Sequence, residues 1–323
     1  MKNIVRLIAT VMVFSILGSS VPVYSEPEEM PDGVIFDSEY YAEKYPDVVE
    51  VLGTNDTTAL YTHYRTYGRF EGRFPTKERE ETASVNRVSV NSAEKKKNVS
   101  DNDIRRYYSR SVFIGDSVMT GYKMYVNYYE SLASGAFFLA TNSYATFHAL
   151  KEDSNLHPMF QGKKQPVWKS VSSMDVDRVF IMLGTNDLIC WDVDRTSSGI
   201  TELAMRIQDE IPGMEINLVS MTPAYPGASR NCLTNENINI LNAKLMDIAE
   251  EHNWGYVDIN TPLKCGGNAL PPELCSDKLI HETSAAYGIW DKEFEVYAKE
   301  QLQLPESTKR VPASGRLSLR TRL

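Results

Sequence analysis

The middle of this chain predicts an α/β fold, a parallel sheet covered by helices on both faces. Three observations predict it. Several short segments are apolar throughout, amphipathic stretches separate them, and each apolar segment runs into a polar cluster. Strands buried on both faces read as continuous hydrophobic runs, and alternation of strands with helices yields parallel sheets. Ligands of such sheets bind outside the carboxyl ends of the strands.

The elements follow in order. Residues 111–114 form a first buried strand that runs into Gly115-Asp116-Ser117. Residues 177–183 form a second, ending in Gly184-Thr185-Asn186-Asp187. A third spans 215–221 and ends in Thr222-Pro223, and a fourth spans 254–259. Apolar residues at helical spacing mark helices over 201–211, 235–252 and 284–302. Together these place one domain over residues 104–304.

The flanks differ in composition. Lys2 and Arg6 precede an apolar run from Leu7 to Gly18, and Val23-Tyr24-Ser25 offers a cleavage site, so residues 1–25 read as a secretory signal peptide. The run is shorter than the roughly 20 residues that span a bilayer. An exported or cell-surface protein is therefore expected. Residues 34–75 are rich in tyrosine and phenylalanine, with Leu60, His63, Tyr64 and Tyr67 on one helical face and Gly68 as cap. They read as a small two-helix unit whose aromatic stripe is core. Residues 76–103 lose the aromatics and gain the run Glu94-Lys95-Lys96-Lys97, a composition expected of a disordered linker. Residues 305–323 carry several arginines without periodicity and read as a flexible basic tail.

A net charge of −9 argues against nucleic acid as a partner. The four cysteines make disulfides plausible in an exported protein. Cys265 and Cys275 flank a turn-rich stretch, and Cys190 and Cys232 each follow a strand, but sequence does not choose among the three pairings. Their spacing is not that of a zinc site.

Ser117 stands where a strand meets a helix, a geometry that exposes its hydroxyl and sets its N–H near free helix-start donors. A serine hydroxyl needs a base to act as a nucleophile. Of the five histidines, His281 has a carboxylate, Asp277, four residues before it on the loop ahead of the last helix. Such an acid holds the imidazole tautomer. His63 belongs to the aromatic unit, His252 ends a helix, and His148 and His157 follow the first helical region. Asn186, at a strand end, is placed to donate to a developing oxyanion.

The blocks Phe113-Ile114-Gly115-Asp116-Ser117, Gly184-Thr185-Asn186-Asp187 and Asp277 to His281 stand in the order of the SGNH (GDSL-like) hydrolase family, and the chain resembles that family over nearly the whole middle region. The resemblance implies a three-layer α/β/α, flavodoxin-like fold and acyl-ester hydrolysis without a cofactor. It implies Ser117 as nucleophile, His281 as base and acid, Asp277 as orienting acid and Asn186 as oxyanion donor. Two departures stand out. The family spacing is Asp-x-x-His, whereas Asp277 lies one residue further off, which a bulged loop can absorb; Asp258 or a backbone carbonyl is the alternative. The family's glycine block, a further oxyanion donor, falls on Ala140-Thr141-Asn142-Ser143, with Asn142 where glycine is expected and Gly135 as runner-up. Asn tolerates a left-handed backbone better than most residues.

Residues 36–41, 45–48 and 63–73 resemble a short module repeated in bacterial surface and secreted proteins. The expected substrate is accordingly an acylated carbohydrate, an O-acetyl ester above all, or a small ester. An O-acyltransferase using the same residues and a non-catalytic glycan-binding surface protein are the competing expectations.

Overall fold

The computed structural model describes residues 27–30, 34–68, 73–81 and 98–304. The expected signal peptide, the basic tail and the greater part of the linker lie outside these residues. Among the described residues no helix is long and apolar enough to cross a membrane.

The aromatic unit starts with a two-stranded ladder, β1 (Glu28–Glu29) against β2 (Ile35–Phe36). Helices α1 (Ser38–Lys44), α2 (Pro46–Leu52) and α3 (Thr57–His63) follow, and α3 runs on into one π-helical turn, Tyr64–Gly68. Among the described residues the unit thus has three α-helices where two were expected. Pro46 is the reason. It fixes its own φ and pushes Tyr45 out of the helical region (φ −126°, ψ 67°), so the segment breaks into two short helices. Phe36, Tyr41, Leu60, Tyr61 and Tyr64 pack together as the unit's own core.

The expected linker is shorter at both ends. Residues 77–81 form a helix, α4, and α5 (Asp101–Ser109) starts at a reciprocal capping box between Ser100 and Asp103. That box satisfies two otherwise orphan helix-start donors, which overrides the polar composition.

The main domain follows. Strand β3 (Ser111–Gly115) leads into α6 (Ser117–Tyr129), then β4 (Phe137–Ala140) and α7 (Thr146–Ala149). A small hairpin, β5 (Met159–Phe160) with β6 (Lys163–Lys164), precedes α8 (Val167–Val171). Then come β7 (Arg178–Met182), α9 (Val193–Glu210), β8 (Glu215–Val219) and α10 (Asn235–Glu251). Strand β9 (Gly255–Val257), α11 (Asn260–Leu263) and α12 (Ser284–Gln303) complete it.

Five strands form one parallel sheet in the order β4-β3-β7-β8-β9. Counted within the domain this is 2-1-3-4-5, the flavodoxin-like order, whose switch point lies between its first and third strands. Here that is the crevice between β3 and β7. Helices α5, α6 and α12 pack together on one face, while α7, α8, α9 and α10 cover the other. The expected three-layer α/β/α fold is what the chain adopts.

Strand β4, a four-residue edge strand paired to β3 alone, has no counterpart in the sequence-predicted elements. Helix α9 begins eight residues earlier than its apolar spacing predicts, because Asp192 accepts from the Arg195 N–H and caps a polar first turn. The aromatic unit rests on α10 through ion pairs Arg65–Asp247 (2.7 Å) and Arg79–Glu250 (3.1 Å).

Under α6 and α12, the core is aromatic. Phe113 stacks on Phe180 (centroids 4.8 Å apart) and on Phe138 (5.1 Å), and Phe294 meets it edge-on at 5.1 Å. Removing a buried ring leaves a cavity that such a closed cluster cannot refill. Phe113→Ala is expected to cost about 3–5 kcal/mol, read from urea unfolding followed by far-UV circular dichroism; a loss below about 1 kcal/mol would contradict this packing.

Candidate active site

The first site loop is built by three consecutive residues. Gly115 ends β3 where a Cβ would collide with the Met119 side chain and lie 3.1 Å from the Met182 carbonyl, so a side chain has no room. Asp116 then leaves the strand and caps α6, its Oδ1 accepting from the Val118 N–H at 2.9 Å. Ser117 is the first residue of that helix. Among the described residues its N–H has no acceptor, as befits the start of a helix.

The other site loop comes from the far end of the chain. His281 Nε2 lies 2.9 Å from Ser117 Oγ, and His281 Nδ1 lies 2.5 Å from Asp277 Oδ2. Asp277 also uses Oδ1 to accept the N–H groups of Leu279 (2.8 Å), Ile280 (3.0 Å) and His281 (3.1 Å). The extra residue between acid and base is absorbed at Lys278, whose φ of +58° folds the loop back on itself. Asp258, the alternative acid, is committed elsewhere and accepts from the N–H groups of Asn260 and Thr261 at the start of α11. Ser117, His281 and Asp277 are therefore brought together, and Asp258 is not.

The oxyanion candidates are placed less simply. Asn186 follows β7 and sits beside Ser117's loop, but its Nδ2 donates to Asp116 Oδ2 at 3.1 Å and to the Tyr144 carbonyl at 3.2 Å. Both amide protons are engaged, so a bond to substrate must displace the longer one. Asn142 lines the cleft beside Ser117. The left-handed residue of that turn, however, is Ser143 (φ +58°) and not Asn142, a correction to the expected backbone. Gly135, the runner-up, precedes β4 against Ser109 and is remote from the site.

Several buried residues that sequence reasoning did not single out hold these loops. Asp187 accepts from the Thr146 N–H at 2.9 Å and from its hydroxyl, tying the loop after β7 to α7. Gly199 on α9 leaves room for that Thr146 hydroxyl. Glu282, next to His281, is buried, with its carboxyl facing the Thr222 hydroxyl and the Trp290 indole.

These environments split the carboxyl groups. Burial alone would raise Asp277, but the His281 ring and the N–H groups of Leu279, His281 and Ile280 hold it down to about 2. Burial pushes Asp116 up to about 6, against hydrogen bonds from Val118, Thr185 and Asn186. Asp187 is raised to about 6 by burial, with the charge of Asp116 adding to it. Burial drives Glu282 well above the usual carboxyl range. Of these carboxyls, the one beside His281 is the solvent-facing one, and it stays ionised.

The cysteines do not enter the relay. Cys190, Cys232, Cys265 and Cys275 are free thiols in this structure, so none of the three possible pairings is formed, and Cys275 Sγ lies 3.6 Å from Asp277 Oδ1. Among the described residues no cluster of histidine, cysteine and carboxylate side chains could hold a metal ion.

Fold and site together define an α/β protein that presents a serine–histidine–aspartate relay at the carboxyl ends of a parallel sheet. The chain belongs to the GDSL-like lipase/acylhydrolase family, whose sequence profile matches residues 113–289. Among solved structures it is similar to a GDSL-like lipase from Bacteroides thetaiotaomicron (19% identity, 62% of this chain and 99% of that one, TM-score 0.47). It is also similar to a catalytic mutant of an acetylxylan esterase from Geobacillus stearothermophilus (15% identity, 58% and 93%, TM-score 0.42). A member of the lipolytic G-D-S-L family from Veillonella parvula matches at 16% identity over 58% and 97%, with a TM-score of 0.42. No curated protein matches the chain.

The raised carboxyls give a pH dependence whose sign is fixed. Asp116 and Asp187 have folded-state pKa values near 6 against an ordinary 3.8, so between those values the folded chain holds more protons than the unfolded one. Their penalty is present above pH 6 and lifts as pH falls toward 4. Asp277 acts oppositely, its contribution whole above about pH 4 and lost toward pH 2. Unfolding free energies at pH 7 and pH 5 are expected to favour pH 5 less in Asp116→Asn than in the parent. An equal pH increment in both proteins would show that Asp116 is not the group responsible.

Proposed function

We propose that this protein is an exported serine esterase that removes short acyl groups, O-acetyl above all, from carbohydrate. The observation that carries the esterase reading is the unbroken relay from Asp277 through His281 to the Ser117 hydroxyl, 2.5 and 2.9 Å long. Export rests on the charged, apolar and small-residue order of residues 1–25.

In this reading Ser117 Oγ attacks the ester carbonyl while His281 Nε2 takes its proton. Asp277, held ionised, keeps Nδ1–H as the donor and stabilises the imidazolium. The oxyanion meets the Ser117 N–H, with Asn142 at the cleft wall and Asn186 once it lets go of the Tyr144 carbonyl. His281 then protonates the leaving alcohol, breaking the C–O bond and leaving an acyl-serine. Water, deprotonated by the same imidazole, attacks the acyl carbon and releases the acid with Ser117 restored. An alcohol in place of that water would make the same residues an acyltransferase.

Purified protein is expected to hydrolyse p-nitrophenyl acetate faster than longer-chain esters, and Ser117→Ala to lose at least about 10³-fold in kcat/KM. Full activity in Ser117→Ala would refute the assignment. Asp277→Asn should lower kcat by about 10²- to 10⁴-fold with little change in KM, because it removes the charge that develops a partner only in the transition state. A KM effect without a kcat effect would place Asp277 outside the relay.

A further inference from the structure

Helix α6 does not have the surface of an ordinary amphipathic helix. Its inner face is apolar as expected, with Val118, Met119, Tyr122 and Val126 buried. Its outer face carries Lys123 and Asn127, but the stripe beside them is apolar and aromatic. Met124 is 68% exposed, Tyr128 79% and Tyr129 54%. A surface helix normally carries charge there, and clustered exposed apolar groups mark a contact site.

The position of this face relative to the nucleophile is set by helix geometry. Residues 117, 121, 124, 125 and 128 are spaced i, i+4, i+7, i+8 and i+11, so Met124, Tyr125 and Tyr128 stand on the same stripe as Ser117. At 1.5 Å per residue the stripe extends about 16 Å from Ser117 to Tyr128. The rings are contiguous along it. Tyr125 lies 6.3 Å from Tyr287, 4.6 Å from Tyr129, and Tyr129 lies 4.8 Å from Tyr128, centroid to centroid. Tyr287 is anchored at the inner end, donating to the Val118 carbonyl, and Gly121 leaves the space its ring needs. The same residues line an open cleft of about 740 Å³ that contains Ser117 and His281.

We infer that this aromatic shelf binds the alcohol half of the substrate, as an oligosaccharide laid along α6 with its esterified hydroxyl at Ser117. The inference rests on the esterase reading above and names the substrate class of that site. Two observations select the occupant. The shelf is open along its length, so a lipid tail there would keep much of its apolar surface in water. A sugar chain sets its C–H faces on the rings and leaves its hydroxyls solvated. The shelf is also built of tyrosines, whose ring faces are apolar and whose hydroxyls are polar. Its rim adds Thr120, Asn142 and Ser284, neutral groups suited to hydroxyl partners. Tyrosine gives a large rigid contact at low entropic cost.

The test compares acetylated xylo-oligosaccharides of one and four units with p-nitrophenyl acetate, in the parent, Tyr128→Ser, Tyr129→Ser and Met205→Ala, a control on the opposite sheet face. The parent should favour the tetramer over the monomer. Each tyrosine change should raise KM for the tetramer about three- to tenfold, lowering the tetramer-to-small-ester ratio of kcat/KM, while Met205→Ala leaves the ratio alone. Equal treatment of monomer and tetramer by the parent, or equal losses on all substrates in the tyrosine variants, would overturn the shelf. So would a dimer that the tyrosine changes dissolve in sedimentation, which would make the face an interface between copies. Calorimetry of the tetramer with Ser117→Ala reads binding without turnover. Binding lost on adding Tyr128→Ser supports the shelf even if no ester is hydrolysed, an outcome that would refute the esterase reading alone; no binding refutes the shelf.

Discussion

One buried carboxyl, Asp116, connects the parts of the site. Its Oδ1 caps α6 through Val118, and its Oδ2 takes the Asn186 amide, so a single side chain spans the crevice between β3 and β7. The first bond sets where the helix begins and therefore where Ser117 and its free N–H point. The second sets the loop that carries Asn186 and Asp187, and Asp187 in turn fixes α7 through Thr146. A carboxyl with no solvent around it is costly unless hydrogen-bonded. Losing any of these donors therefore destabilises more than the bond itself. The burial that raises its pKa is the same burial that makes it a rigid strut.

The relay is assembled from a stiff half and a solvent-facing half. Ser117 starts a thirteen-residue helix packed on the sheet. His281 and Asp277 are 43% and 34% exposed on a loop, where an isolated side-chain contact has little worth. Backbone closure holds that loop instead. Ser276 donates to the His281 carbonyl at 2.8 Å, Tyr225 donates to the Leu279 carbonyl at 2.8 Å, and Asp277 gathers three N–H groups of its own loop. Glu282, the residue after His281, is buried beside Trp290 near the start of α12. The imidazole is thus fixed by its neighbours' main chain, while its exposed edge stays open to substrate and water.

Much of this is legible in the sequence, and the pattern of what is not has physical reasons. The three central strands β3, β7 and β8 and the edge strand β9 read plainly, because each is an apolar run. Edge strand β4 does not, since of its four residues only Leu139 is buried and no long apolar run is required. Ser117, His281 and Asp277 can be found because each depends on short-range order: a strand-to-helix turn, or an acid and base on one loop. Asp277's reach depends on Lys278 entering the left-handed region, which residue type alone does not announce. The oxyanion turn fails for the same reason, with Ser143 rather than Asn142 at positive φ. Thr146, Tyr144 and Glu282 are invisible in sequence because their roles exist only through contacts across loops far apart in the chain.

The aromatic residues show how burial inverts a compositional signal. The conspicuous cluster lies in residues 34–75, yet Phe36, Tyr41, Tyr61 and Tyr64 are consumed in holding that small unit together. A domain of so few residues has little else with which to build a core, so its rings face inward. The unit also rests on α10, which covers the sheet face opposite α6. The main domain has the reverse economy. Its core is built from Phe113, Phe180 and Phe294, and Tyr128 and Tyr129 at the end of α6 stay largely in water. Rings left in water beside Ser117 are placed to meet a partner from outside the fold.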